Sequence, residues 1–215
     1  ENCELRITNV SYLGKTTRFD LVGDTYEIPM VGEFNVRNAA MALCSAKFAE
    51  ISVSEIQKGL ASFSGIARRQ EERGEVRGVT VVADFAHHPT AIAQAIKGLR
   101  QRYDGRRLWV LFEPRSNTTR RNIFQQDLAE ALSEADLVVL PSIPDPEKVA
   151  EEDRLDPEKL VADIKSTGTE AWYLGEVDEI VTHVTCLAVE GDVIVVLSNG
   201  GFGGIHPKLL AALEE

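Results

Sequence analysis

Val79-Thr80-Val81-Val82-Ala83-Asp84 runs directly into Phe85-Ala86-His87-His88-Pro89-Thr90. The first stretch is almost wholly apolar and rich in β-branched residues, so it reads as a strand buried on both faces, as in a parallel sheet. Pro89, near the end of the second stretch, suits the first turn of a helix. A carboxylate and two imidazoles therefore sit where a buried strand opens into a helix. In an open α/β sheet that is the edge where ligands bind. Polar loops also follow apolar strands at Phe112-Glu113-Pro114-Arg115-Ser116-Asn117 and at Ser198-Asn199-Gly200-Gly201-Phe202-Gly203-Gly204. Three such loops can converge on one edge of one sheet.

Outward from this stretch, strands are expected at 79–84, 107–113, 136–140, 170–174 and 192–198. Helices are expected at 89–102, 120–134, 157–166, 176–189 and 205–214. Strand–helix alternation of this kind gives a doubly wound, Rossmann-like α/β domain with a mostly parallel sheet. Pro141 to Pro157 carries four prolines and reads as an exposed loop. The first thirty residues have a different rhythm, with strands expected over Glu4–Val10, Thr17–Val22 and Thr25–Pro29. A helix over Asn35–Glu50 and another over Ser54–Ser62, capped by Ser54, follow them. Arg68 to Gly78 is charged and poor in large apolar residues. It reads as a boundary and hinge between two domains, or as a strand leading into the second.

A net charge of −11 argues against a nucleic-acid partner, because phosphate-backbone binding needs a surplus of Lys and Arg. A single nucleotide needs only a local cradle and is compatible. Cys3, Cys44 and Cys186 are widely spaced, as expected for reduced thiols in a cytoplasmic protein. No run is long enough for a membrane span, and no membrane partner is expected. The chain opens on Glu1, as a piece of a longer protein would.

Several motifs carry more than one reading. Leu13-Gly14-Lys15-Thr16-Thr17 imitates the end of a phosphate-binding P-loop, but the required earlier glycine is Asn9 and the segment continues as a strand. A hairpin turn is expected there. Adjacent His87 and His88 diverge on an extended segment, a poor metal arrangement. One is expected to cap or pack at the helix start and the other to face the crevice. The glycine loop suits either close approach of a ligand or tight turns. Its spacing fails the dinucleotide pattern at His206. Arg115, Arg120 and Arg121 flank Asn117, and a guanidinium fork matches a carboxylate or phosphate.

Taken in order, these segments resemble the Mur ligases, ATP-dependent amide-bond ligases of peptidoglycan synthesis. Gly32-Glu33-Phe34-Asn35-Val36-Arg37-Asn38-Ala39 is similar to the family's G-x-H-N-x-x-N-A, with Phe34 in place of the usual histidine. Arg68-Arg69-Gln70-Glu71 is similar to R-R-x-E, and Asp84 to Thr90 to the D-x-x-H-H-P-T of members acting on UDP-N-acetylmuramate. Phe112 to Thr118 and Ser198 to His206 resemble the member that adds the recycled tripeptide L-alanyl-γ-D-glutamyl-meso-diaminopimelate. The resemblance implies that residues 1–75 are the C-terminal part of the central ATP-binding domain and 76–215 the C-terminal, peptide-binding domain. It implies ATP and Mg²⁺ as cofactors, bound mainly by upstream domains of the same protein. UDP-N-acetylmuramate and the tripeptide are the implied substrates. Asn35 and Asn38 would contact adenine, Arg68 or Arg69 phosphate and Asp84 ribose, with His88 beside the nucleotide. Arg115, Asn117, Asn199, Gly201 and His206 would hold the peptide. With no P-loop in its sequence, the chain alone is expected to be inactive. Two alternatives stay open: an L-alanine-adding member of the same family, and a non-catalytic peptide- or nucleotide-binding module.

Overall fold

The computed structural model describes residues 5–215, so Cys3 and the start of the expected first strand lie outside the described residues. The chain divides into two compact units. One holds the residues up to Ile66 together with Lys97–Asp104, and the other holds Ala67–Ile96 and Gly105–Glu215.

The first unit contains the antiparallel strands β1 (Thr8–Leu13), β2 (Thr16–Leu21) and β3 (Asp24–Ile28), with helices α1 (Glu33–Phe48) and α2 (Val53–Ala61). Phe19, Leu21, Tyr26 and Ile28 fall on one face of the sheet by the two-residue strand period. They pack with Val36, Ala39, Ala40 and Leu43 of α1 and Ile56 of α2. Leu13 pairs with Thr16, so Gly14-Lys15 is the two-residue turn of a hairpin, with Gly14 at φ 67. No helix N-terminus follows, which removes the P-loop reading. The first strand lies later than expected, and its register slips between Thr8 and Ser11, where Asn9 turns to φ 51. The cap of α2 is Ser52 rather than Ser54. Its hydroxyl accepts from Glu55 N–H while the Glu55 carboxylate accepts from Ser52 N–H, a reciprocal capping box.

The second unit is a six-stranded sheet. Its strands are β4 (Glu71–Val76), β5 (Val79–Asp84), β6 (Leu108–Phe112), β7 (Leu137–Leu140), β8 (Glu170–Tyr173) and β9 (Val193–Leu197), in spatial order β4-β5-β9-β6-β7-β8. All neighbours are parallel except β4 and β5. Every residue of β5, β6, β7 and β9 is buried, which is why these strands read as continuous apolar runs. Helices α3 (Pro89–Arg102), α4 (Gln125–Leu132), α5 (Pro157–Ser166), α6 (Val177–Leu187) and α7 (Ile205–Glu214) make the connections. Val79, Val81, Trp109, Leu111, Val139, Ile194 and Val196 share one face with Ile180 and Val184 of α6 and Leu209 of α7. Helix α4 starts later than expected. Arg121 instead bridges to Arg154, and Asn122–Phe124 forms a separate 3-10 turn.

Of the two readings of the charged segment after Arg68, the strand leading into the second unit is the one observed. Glu71–Val76 is β4, hydrogen-bonded to β5 along its length. Its polar character fits an edge strand, which needs no second apolar neighbour and is protected by charge from pairing with other chains.

At the amino ends of the parallel strands, Asp192 gathers its neighbours. Arg107 donates Nε to Oδ1 at 2.9 Å and Nη2 to Oδ2 at 2.7 Å, and Trp109 Nε1 and Val189 N–H donate to Oδ2. Burial works against the charged form, but the Arg107, Val189 and Trp109 bonds outweigh it and hold the carboxyl below its ordinary value. A depressed carboxyl favours the folded state above the unfolded carboxylate range and loses that contribution as pH falls through it. Asp192→Asn should therefore cost about 1.5–3 kcal/mol at pH 7. The cost should shrink as pH falls below about 5, through the unfolded carboxylate range and on through the lower folded value. Urea unfolding of both proteins across that range checks this, and an equal difference at every pH would contradict it.

Candidate functional site

Because β9 lies between β5 and β6, the carboxyl ends of these three strands are side by side. Ser198 N–H donates to Asp84 O at 3.1 Å and Glu113 N–H to Leu197 O at 3.0 Å. The loops opening at Asp84, Glu113 and Ser198 thus leave one edge together.

Asp84 is 4% exposed. Its Oδ1 accepts from Ala86 N–H at 2.7 Å and its Oδ2 from Gln70 N–H at 2.9 Å. Burial pushes the carboxyl up, against the pull of those two bonds and of the Arg69 charge. The carboxylate therefore fixes two turns, the one before β4 and the one after β5. That role was not legible in the motif. It matters because Arg68 and Gln70 adopt φ 60 and φ 48, left-handed conformations that a non-glycine residue holds only when its surroundings compensate. Arg68 N–H donates to Glu71 Oε2 at 2.7 Å, and Gln70 N–H has Asp84.

The two arginines of the pair are not equivalent. Arg68 Nη2 donates to Ser198 O and Gly200 O at 2.7 and 2.5 Å, so it ties the glycine loop to the turn before β4. Arg69 is exposed. Both guanidinium groups lie against the Phe85 ring, at 5.1 and 5.2 Å from its centroid. Arg69 is the one whose donors face solvent. His88 caps α3: its carbonyl accepts from Ile92 N–H, its Nδ1 accepts from Thr90 N–H at 3.3 Å, and its ring meets Phe124 edge-on. His87 packs edge-on against Phe85. Among the described residues no cluster of three or more His, Cys, Asp or Glu is placed to hold a metal ion.

Buried Glu113 accepts from Ser198 Oγ at 2.5 Å, and the same hydroxyl accepts from Gly200 N–H at 2.9 Å. Arg115 is exposed, pairs with Glu113 at 3.7 Å and lies directly over Gly200. A Cβ at Gly200 would collide with the Arg115 side chain, so this glycine is required for close approach and not for an unusual φ. Ser116 and Thr119 each donate a backbone N–H to the other's hydroxyl at 3.1 Å, which leaves Asn117 exposed at the loop tip. Asn199 Oδ1 and His206 Nε2 are buried without a partner. Burial first, then the Arg73 and Arg68 charges, push the His206 imidazole below its ordinary value and keep it neutral. Gly201 is exposed. Asn35 and Asn38 belong to the first unit, three residues apart on α1. Asn35 Nδ2 donates to Val31 O at 2.7 Å, and Asn38 is exposed. Sequence reasoning missed Glu113 and Ser198 as partners. The only trace of that pairing is that each is the first polar residue after a buried strand.

Residues 68–200 match the family described as Mur ligase, glutamate ligase domain. This chain belongs to the Mur ligase family. The UDP-N-acetylmuramate–L-alanyl-γ-D-glutamyl-meso-2,6-diaminoheptanedioate ligase of Escherichia coli K12 is 42% identical over 86% of the chain and 39% of its own length. A murein peptide ligase crystal structure from Psychrobacter arcticus shares 32% identity with a TM-score of 0.68, over 99% of this chain and 44% of that one. The UDP-N-acetylmuramate–alanine ligase of Thermotoga maritima, at 18% identity and a TM-score of 0.79 over 95% and 44%, shares the fold. The chain spans about two fifths of the length of the curated relative it matches. The mostly parallel sheet is that of Mur ligase C-terminal domains. In this Mur ligase chain the family's aspartate motif is built into the backbone of the site.

Replacing Asp84 by Asn tests that structural role. The amide has one oxygen for two converging backbone donors, so either Gln70 N–H or Ala86 N–H would face an NH₂ group. Leaving a buried donor unpaired costs about 1–3 kcal/mol. Chemical denaturation should report that loss in the absence of any ligand. Unchanged stability would show that the carboxylate is not holding these turns.

Proposed function

We propose that the chain is part of an ATP-dependent ligase that joins L-alanyl-γ-D-glutamyl-meso-diaminopimelate to UDP-N-acetylmuramate, and that its second unit receives the tripeptide. The observation that carries this reading is the convergence of Arg115, Asn117 and the glycine loop on one sheet edge, in a chain 42% identical to a ligase named for those substrates. Upstream segments of the parent protein would supply the P-loop, the Mg²⁺ ligands and the UDP-sugar site. We assign residues up to about 66 to the central ATP-binding domain, where Asn35 and Asn38 would meet adenine.

In this reading Arg69, exposed beside Asp84, reaches the nucleotide phosphates, while Arg68 orders the glycine loop. A ribose hydroxyl would donate to a remaining lone pair of Asp84, with His88 holding the turn beside it. ATP would activate the muramoyl carboxylate, and the peptide amine would then attack it. This chain's part is to hold the amine in place and keep out water, which lowers the barrier through orientation. Arg115 would take a peptide carboxylate, for which a planar fork is better suited than an ammonium. Asn117 offers both a donor and an acceptor to the zwitterionic end of diaminopimelate. Asn199 Oδ1, an acceptor, and neutral His206 Nε2, whose role follows the ring tautomer, are the buried unpaired atoms that a peptide at the glycine loop beside Gly201 would meet.

Isothermal titration of the tripeptide into the 215-residue chain, with free L-alanine as control, tests the reading. Preferential binding of the tripeptide supports it, and preference for L-alanine would favour the L-alanine-adding activity instead. Arg115→Ala should weaken tripeptide binding by up to about 1.5–3 kcal/mol, the range for hydrogen bonds to a charged group. Gly200→Ala should keep the fold, because the flexible Arg115 side chain can move aside, but should weaken binding as well. Retained affinity in both variants would remove Arg115 from the site. A further expectation is that the chain alone forms no amide bond from ATP and both substrates, since phosphoryl transfer depends on positioned phosphate contacts. Product above a buffer control would refute it.

A further inference from the structure

Arg120 is 6% exposed, yet it follows the loop that carries Arg115 and is not part of the sheet core. Its one side-chain partner among the described residues is Asp145, whose Oδ2 lies 3.2 Å from Nη2. Its Nε is buried with no acceptor. Nε and Nη2 form the side-on edge of a guanidinium, the pair of parallel donors that a carboxylate takes in bidentate fashion. Asp145 therefore uses half of that edge. The distance is also long for a charge-assisted bond, which normally closes to about 2.7–2.9 Å. The same Asp145 oxygen accepts from Lys148 Nζ at 2.7 Å, so the carboxylate leans toward the exposed lysine. Asp145 sits at φ 50, in the segment between β7 and α5, a left-handed backbone state that aspartate adopts more readily than most non-glycine residues. Its side chain is 41% exposed against 7% for Arg120, so Asp145 is the solvent-facing member of the pair. The charges of Arg115 and Arg120 both reach this carboxylate and, after Lys148, help to hold it below its ordinary value.

We propose that Arg120 is a second carboxylate-binding residue of the peptide site and that Asp145 is its built-in occupant, displaced by a substrate carboxylate. The incoming group accepts from both Nε and Nη2, which satisfies the donor that Asp145 leaves unpaired. The released Asp145 keeps Lys148, so no charge is stranded by the exchange. Arg115 stands at the entrance and Arg120 at the inner end. This arrangement suits a peptide that carries several carboxylates, and it disfavours a ligand with one. The inference rests on the proposed peptide-binding role of the second unit.

Three proteins test it: the 215-residue chain, Asp145→Asn and Arg120→Lys. Tripeptide binding is measured by calorimetry, and the Arg120 Nε–H resonance is identified as the arginine signal missing from Arg120→Lys. The unsubstituted chain should show that resonance moving downfield on tripeptide addition. Asp145→Asn, which keeps an oxygen acceptor toward Arg120 and whose fold is checked by circular dichroism, should bind the tripeptide about three- to tenfold tighter, as expected when a partly exposed competing ion pair is removed. Equal affinity with an unmoved resonance would overturn the exchange and leave the peptide-binding reading standing. Weaker binding by Asp145→Asn would make Asp145 a direct ligand of the peptide and likewise overturn the exchange. No tripeptide binding by the chain or by Asp145→Asn would overturn the peptide-binding reading itself.

Discussion

The placement of β9 between β5 and β6 is the constraint on which the second unit depends. A late strand inserted at the centre of a parallel sheet must be apolar on both faces, and Val193–Leu197 is. It also brings a loop from the C-terminal part of the chain between two loops formed much earlier. Arg68 reaches Ser198 and Gly200, and Glu113 reaches Ser198, only because of that insertion. A slip of one residue in its register would turn every side chain of the strand to the opposite face. The polar loop would then be presented with the wrong side chains toward its neighbours.

Two buried aspartates are stabilised in different ways at the two ends of this sheet. Asp192 has a guanidinium in bidentate contact and stays well ionised. Asp84 has mainly backbone donors, and burial raises its carboxyl in spite of them. Fixed dipoles orient a carboxylate without cancelling its charge, so Asp84 remains electrostatically responsive to a cation or donor brought near it. Asp192 has no such latitude.

The central architecture was legible because its signals are strong: unbroken apolar strands, helical spacing between them, and polar residues at each strand end. The expected span of β5 coincides with the observed one, and so do those of α3, α5 and α7. Where composition left alternatives open, pairing decided between them. Glu71–Val76 reads as linker or strand because an edge strand is free to be charged. Ser52 takes the cap from Ser54 because Glu55 stands three residues after it. That the loops opening at Asp84, Glu113 and Ser198 leave one edge of the sheet could be read from the chain, since each follows a buried strand. Their division of labour could not. That Arg68 faces inward and Arg69 outward, and that Asp84 fastens two turns, depends on left-handed backbone at Arg68 and Gln70 that no pattern of residue types announces.

The knot around Asp192 has a consequence for how such a domain changes over time. Arg106 and Arg107 draw together Gly78, Thr80, Gly191 and Asp192 at the amino ends of the strands, the opposite end from the loops opening at Asp84, Glu113 and Ser198. A scaffold anchored at one end can tolerate losses at the other. Substitutions in the 113–121 and 141–155 loops then draw on a reserve of stability that they do not themselves supply. Changes in these loops can accumulate while the frame is inherited intact, since the loops and the anchoring knot lie at opposite poles of the sheet.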